Sequence, residues 1–345
     1  MLTLTKAIDC APPTNLSHTE RNTLRGAIES FSNKIQQRGD LSYITIARQL
    51  ELLQELSAFE LGRFLLRTGG LNGYWINYIV NHPKNGRLTG LNSENQHFSE
   101  LEVFLLDQAP TCLATQQRFE IFKREIQTRL HDGVALASIP CGLTTDLLDL
   151  DFSQVPEFSI TGIDIDPEAL VQSQQIAENL GLTGHCQFVY KDAWALGYEK
   201  TFDVISSNGL SIYEPDNNKI VELYQQFFAA LKPNGYLVTS FLTPPPIPQK
   251  KTEWDLKNVN CEHALLQKIV FADILECKWQ AYRSEELVRS QLTDAGFTEI
   301  EVFYDQAHIF PTVIATKKQD FLLRATSKRN SNSKFRIPFD KFLLC

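Results

Sequence analysis

Two hydrophobic periods divide the chain. Up to about residue 131, apolar residues recur every three or four positions. Ile44, Leu50, Leu53, Leu56 and Phe59 fall toward one side, and Phe119, Phe122, Ile126 and Leu130 do the same further on. That spacing predicts amphipathic helices, each with one face to bury. Beyond residue 131 the apolar positions gather into short runs, at 134–138, 160–164, 186–190, 202–206 and 236–241, with helically spaced stretches between several of them. Such alternation predicts an α/β unit whose strands lie side by side under helices.

The first run leads into Gly142, which can turn sharply and, lacking a Cβ, lets a ligand lie against bare backbone. The second ends on Asp164, 22 residues beyond Gly142. That is close to the ~20-residue offset at which a carboxylate on a strand tip accepts both hydroxyls of a ribose. Asp166 is then placed to cap a helix with Pro167 in its first turn, where the missing N–H costs nothing. Leu170, Ala177 and Leu180 continue it at helical spacing and Gly181 ends it. These residues describe a nucleotide-binding half-fold.

Composition narrows the picture. A chain of 345 residues, 43% hydrophobic, is long enough for two domains and a well-buried core. Its formal charge of −8 disfavours tight binding to nucleic acid phosphates. The seven cysteines are an odd number with no CxxC pair, which points to free thiols in a reducing, cytosolic compartment rather than to a disulfide frame. His82, His97 and His131 are scattered without metal-ligand spacing, so no metal site is expected. No apolar run approaches the ~18 residues of a membrane span, and no basic region followed by an apolar one marks the first residues as a secretion signal. The expected organisation is a loose arm over 1–16, where Pro12 and Pro13 forbid a helix, and a helical cap over 17–131. A cofactor-binding domain follows over 132–317, with an insertion at 243–283, and then a basic tail over 318–345. Residues 317–345 carry eight Lys and Arg against Asp320 and Asp340, a net +6 that leaves −14 on the rest. An arm lying on the acidic body accounts for that pattern better than a nucleic-acid contact.

The order of parts from 134 to 316, with the Leu231-Lys232-Pro233-Asn234-Gly235 turn before the fifth strand, resembles the class I S-adenosylmethionine-dependent methyltransferases along about half of the chain. The resemblance implies a Rossmann-like, seven-stranded, mostly parallel sheet beside the N-terminal helical domain, closed by an antiparallel pair at 299–304 and 309–316. It also implies S-adenosylmethionine as cofactor, with S-adenosylhomocysteine as product. On that pattern Asp164 meets the ribose, Asp192 and Ala193 meet the adenine with Trp194 beside it, and Ser138, Pro140, Cys141, Gly142 and Ile165 belong to the cofactor path. Asn208 and Gly209 then lie near the transferred methyl, and Tyr213, a candidate catalytic residue, near the acceptor. Two positions depart from the family: Ser138 stands where an acidic residue is usual, and Thr144 where a second glycine is.

For the acceptor side, residues 67–78 place three glycines among Tyr74, Trp75 and Tyr78. This segment reads either as a lid or as a helix-to-helix turn whose aromatics fill the interdomain core. Within the insertion, Trp254 is a candidate pocket residue. His263 is a candidate base, with a solvated helix cap as the alternative. The Asn/Asp-Pro-Pro-aromatic run of methyltransferases acting on base amino groups is absent from residues 206–213. The expected activity is methyl transfer to an oxygen, nitrogen or carbon of a small or medium-sized acceptor, driven by alignment and water exclusion. The alternatives are a protein or RNA acceptor docked by the tail and helical half, and a binding or scaffold protein without activity. A nicotinamide dehydrogenase lacks its three-glycine fingerprint here.

Overall fold

The computed structural model describes residues 23–247 and 249–318; the expected arm, and the basic tail apart from Lys318, lie outside them. Among the described residues seven helices come first: α1 (Leu24–Arg38), α2 (Ile46–Ser57), α3 (Glu60–Thr68), α4 (Gly73–Asn81), α5 (Gly86–Thr89), α6 (Glu100–Asp107) and α7 (Pro110–Gln127). Their starts follow from sequence. Thr23, Thr45, Asn72 and Ser99 each accept the backbone N–H three residues on, Ser99 and Glu102 form a reciprocal capping box, and Pro110 opens α7. The apolar stretch from Ile44 to Phe59 is two elements rather than one. Phe59 takes an extended conformation between α2 and α3, and its ring, 2% exposed, enters the core.

The sheet has seven strands: β1 (Val134–Ser138), β2 (Phe158–Asp164), β3 (Cys186–Tyr190), β4 (Phe202–Ser207), β5 (Leu231–Ser240), β6 (Thr298–Phe303) and β7 (Thr312–Thr316). Their order is β3-β2-β1-β4-β5-β7-β6, and β7 is antiparallel to both of its neighbours. The other helices are α8 (Thr145–Leu148), α9 (Pro167–Asn179), α10 (Asn217–Ala230), α11 (Cys261–Lys268) and α12 (Glu285–Asp294). Ser138 pairs with both Gly162 and Ser206, so β1, β2 and β4 end nearly level. Two boundaries differ from the sequence expectation. The Leu231–Gly235 turn is absorbed into β5 as a bulge, with pairing jumping from Phe202↔Leu231 to Val204↔Tyr236. The last strand starts at Thr312 rather than 309, because the N–H groups of Ile309 and Phe310 are held by the Asp305 carboxylate instead of a ladder.

Alternation along the strands sorts the core. Ala137, Ile163, Ile205 and Leu237 face α10 and α12 through Leu223, Tyr224, Phe227 and Leu292. Leu136, Ile160, Val204 and Val238 face the other way, onto Phe122 and Ile126 of α7. A third core joins Leu52, Leu56, Leu65, Trp75 and Phe104 of the leading helices to Trp254, Val270, Ile274 and Trp279 from the segment between β5 and α12. Each such side chain contributes roughly 1.5–3 kcal/mol by leaving water. The inserted segment therefore packs on the leading helices. Among the described residues no helix is long and apolar enough to cross a membrane.

Candidate functional site

β1 and β4 are neighbours, yet the chain leaves β1 for β2 on one side and β4 for β5 on the other. Such a reversal opens a crevice beyond the carboxyl ends of the strands. A cleft of about 730 Å³ lies there. From the tip of β1 it is lined by Ser138, Pro140, Cys141 and Gly142, and from β2 by Asp164 and Ile165. Asp192, Ala193 and Trp194 reach it after β3, and Asn208, Gly209 and Tyr213 after β4. Residues predicted on four separate stretches are thus brought to one wall.

Two buried carboxylates organise that wall. Asp164 accepts the Gly142 N–H at 2.9 Å through Oδ2 and the Asp166 N–H at 3.0 Å through Oδ1. A carboxylate offers about four lone-pair sites, so acceptor capacity remains for the cleft. Burial pushes Asp164 up to about 6, against the pull of those N–H groups. The second carboxylate, Asp146 in the first turn of α8, was not anticipated. Ser138 Oγ donates to its two oxygens at 3.1 and 3.0 Å, and Ser206 Oγ donates at 2.5 Å. Burial lifts Asp146 to about 6 as well, opposed first by Ser206 and Ser138. The acid missing at position 138 is therefore present in space: Ser138 holds a carboxylate eight residues on, and Asp146 lines the cleft. Thr144, where a glycine was expected, adopts the left-handed φ of +57°. Its hydroxyl lies 3.1 Å from Ser173 Oγ, which anchors a conformation that costs a β-branched residue on the order of 1–2 kcal/mol.

The leading helices cover this loop, but not with the aromatics. α4 sets its first residue on it: a Cβ added to Gly73 would stand 2.7 Å from the Gly142 Cα, so the two backbones touch. Asn77 Oδ1 accepts from Thr145 Oγ1 at 3.0 Å, one turn further along the same face. Trp75 points the opposite way, 3% exposed, between Phe64, Tyr74 and Tyr78 with ring centroids 5.9, 4.9 and 5.3 Å away. None of the three lines the cleft: Trp75 and Tyr78 pack into the helical core, as in the core-filling reading of this segment, while Tyr74 is 40% exposed. Trp254 is also a core residue, 8% exposed. His263 sits in the first turn of α11 with its ring edge-on to Phe104 at 5.9 Å, away from the cleft, which removes it as the base. Tyr213 does reach the cleft, but burial raises its phenol, so at neutral pH it is a protonated donor and not a base. Burial likewise raises the Cys141 and Cys112 thiols, the latter to about 12.

Further in, the cleft continues between α3, α4, α6 and α7 as a chamber walled by Leu61, Phe64, Leu65, Ile76, Ile79 and Leu105. Asn208 Oδ1 and Nε of Arg118 belong to its walls, both buried without a hydrogen-bond partner among the described residues. The sequence did carry a signal for Arg118. It falls at i, i+4, i+8 with Phe122 and Ile126, a charge on a face that is otherwise apolar.

Residues 130–290 match a family described as a methyltransferase domain. Comparison with curated proteins gives no match. Among solved structures, a protein of Bordetella parapertussis described as a "possible exported protein" is 39% identical. The match covers 86% of this chain and 96% of that one, with a TM-score of 0.79. A Methanosarcina mazei S-adenosylmethionine-dependent methyltransferase is 19% identical over 57% of this chain and 98% of its own, with a TM-score of 0.41. Phosphoethanolamine N-methyltransferase 2 of Haemonchus contortus, in complex with S-adenosyl-L-methionine, is 14% identical over 59% and 52%, with a TM-score of 0.44. Residues 130–290 thus belong to a methyltransferase-domain family, and the sheet order and strand-tip crevice are those of the Rossmann-like class I methyltransferase fold.

Proposed function

We propose that the chain transfers the methyl group of S-adenosylmethionine to a small or medium-sized acceptor held between the strand tips and the helical cover. The observation that carries this reading is the double cleft: a polar crevice with two buried carboxylates, opening into an apolar chamber. Its volume is near the upper end of the ~300–1,000 Å³ that holds one drug-sized ligand, which suits a nucleoside-sized molecule beside a second, smaller one.

The residues fit the cofactor. Asp164 keeps acceptor capacity for a ribose diol. Asp192, whose Oδ1 accepts the Trp194 N–H at 2.9 Å, stands with Ala193 where an adenine edge would lie. Asp146 and the orphaned Asn208 Oδ1 supply an anion and an acceptor for an ammonium. When bound, S-adenosylmethionine supplies a methyl made electrophilic by its sulfonium. The chain's own share is then alignment and exclusion of water: α4 closes the loop from above, and the chamber wall presents the acceptor in line.

Calorimetry with S-adenosylmethionine and S-adenosylhomocysteine tests the reading. Both are expected to bind, and Asp164→Ala is expected to weaken each at least tenfold. An unchanged dissociation constant in that variant, or no binding to the folded wild type, overturns it.

A further inference from the structure

Arg118 is a cation in the wrong place for a merely structural role. It projects from the middle of α7, is 3% exposed, and lines the cleft where the polar crevice meets the apolar chamber. Its guanidinium lies against the strand tip that follows Asn208, since a Cβ on Gly209 would come within 3.4 Å of Nη1 and 3.7 Å of Nη2. Phe310 stacks beneath it, 3.7 Å from Cζ to the ring centroid. Its polar contacts do not satisfy five donors. Nη1 reaches Ser240 Oγ at a long 3.4 Å, and Nε has no partner among the described residues. The anion felt most strongly there is Asp305, whose carboxylate is already committed to the backbone N–H groups of Ala307, Ile309 and Phe310. Burial draws Arg118 down to about 9, which still leaves it charged at neutral pH. Asp305 offsets part of that charge, but among the described residues Nε keeps a donor open to a second anion. A guanidinium is also a planar fork shaped for a carboxylate.

The geometry points to Arg118 as the anchor of the acceptor site and to an acceptor that is an apolar carboxylic acid. Its carboxylate rests on the guanidinium, and its hydrocarbon body lies among Leu61, Phe64, Leu65, Ile76, Ile79 and Leu105. The inference rests on the proposed methyl transfer in the adjoining crevice and deepens it. The step it implies is balanced without a proton. A carboxylate oxygen of the acceptor attacks the methyl carbon, a C–O bond forms as the C–S bond breaks, and the electron pair stays on sulfur. The products are a neutral methyl ester and a neutral thioether. Such a reaction needs no general base, in accord with a cleft that no histidine lines among the described residues. The ester, having lost its charge, also loses its hold on Arg118, which favours release.

Decanoate and decanamide, equal in length and differing in charge, are the probes. Calorimetry on the full chain, with and without saturating S-adenosylhomocysteine, is expected to show decanoate binding at least tenfold more tightly than decanamide. Arg118→Met is expected to abolish that preference while retaining S-adenosylhomocysteine binding, and Arg118→Lys to restore part of it. Mass spectrometry of wild type with S-adenosylmethionine and decanoate is expected to detect methyl decanoate. Equal affinity of the wild type for the two probes, or no binding of either, overturns the assignment without recourse to a variant. A preference that survives in Arg118→Met overturns it too. Preferential decanoate binding with no S-adenosylhomocysteine binding sinks the methyl-transfer reading and leaves the anchor standing, so the two failures are told apart.

Discussion

Asp146 is held as an anion at a cost that pH can reveal. Its ordinary value of 3.8 is raised to about 6 by burial, with Ser206 and Ser138 pulling the other way. A carboxyl whose folded value is raised gives stability that is fully present below about pH 4 and is lost as pH climbs through 6. At about 1.4 kcal/mol per pH unit the loss is on the order of 3 kcal/mol. Asp146→Asn keeps an oxygen for the serines and removes the charge. In urea titrations it should be more stable than wild type at pH 7.5, by up to about 3 kcal/mol, with the advantage vanishing near pH 4. The same variant should bind S-adenosylmethionine more weakly at pH 7.5. A variant no more stable than wild type at pH 7.5 would show that the carboxylate bears no desolvation cost. Gly73 offers a second test. A methyl there would meet the Gly142 Cα at 2.7 Å, backbone against backbone, so α4 or the loop must shift. Gly73→Ala should weaken cofactor binding about tenfold or more, while the far-UV spectrum stays unchanged. Neither residue's place at the cleft was legible in the sequence. That of Asp164 was, because strand register ties a carboxylate at a tip to a glycine about 20 residues earlier. Asp146 reaches the site only because Ser138 and Ser206 end level on adjacent strands, a consequence of pairing that no local pattern contains.

At the level of elements, α7 links the two halves. Cys112 and Ala114 at its start belong to the helical core, Phe122 and Ile126 at its end to the sheet core, and Arg118 falls between them on the cleft. Its period was plain from Phe119, Phe122 and Ile126, yet a period does not say that one face is shared between two cores. α4 shows the converse. The richness of residues 67–78 in glycine and aromatics picked out a segment that reaches the cleft, but helical phase decides which side chains arrive there. With Asn72 as cap, Gly73 and Asn77 face the loop and Trp75 turns inward. Phe122 is 0% exposed. Phe122→Ala should cost about 3–5 kcal/mol by leaving a cavity where α7 meets the sheet, measured as a fall in the urea midpoint at constant slope. A loss below about 1 kcal/mol would mean that α7 is only loosely seated there.

Across the whole molecule, the shared core decides how the chain unfolds. The helical cluster draws on residues 35–114 and also on Ile212, Leu242, Trp254, residues 269–279 and residues 307–310. Leu242 and Ile309 come from the ends of the strands' own connections, and α7 ties the same cluster to the sheet from the other side. Removing either half would expose apolar surface from the other, so the separation suggested by two hydrophobic periods describes the sequence and not the energetics. Such interdependence predicts one cooperative transition, with far-UV signal from the helices and near-UV signal from Trp75, Trp254 and Trp279 lost together. Because the cleft is walled by both halves, S-adenosylhomocysteine at 100 times its dissociation constant should raise the stability of that single transition by about 2.7 kcal/mol. Both signals should move by the same amount. Two resolved transitions, or a ligand shift confined to one signal, would show instead that the leading helices and the sheet unfold as separate bodies, with the cofactor stabilising only the latter.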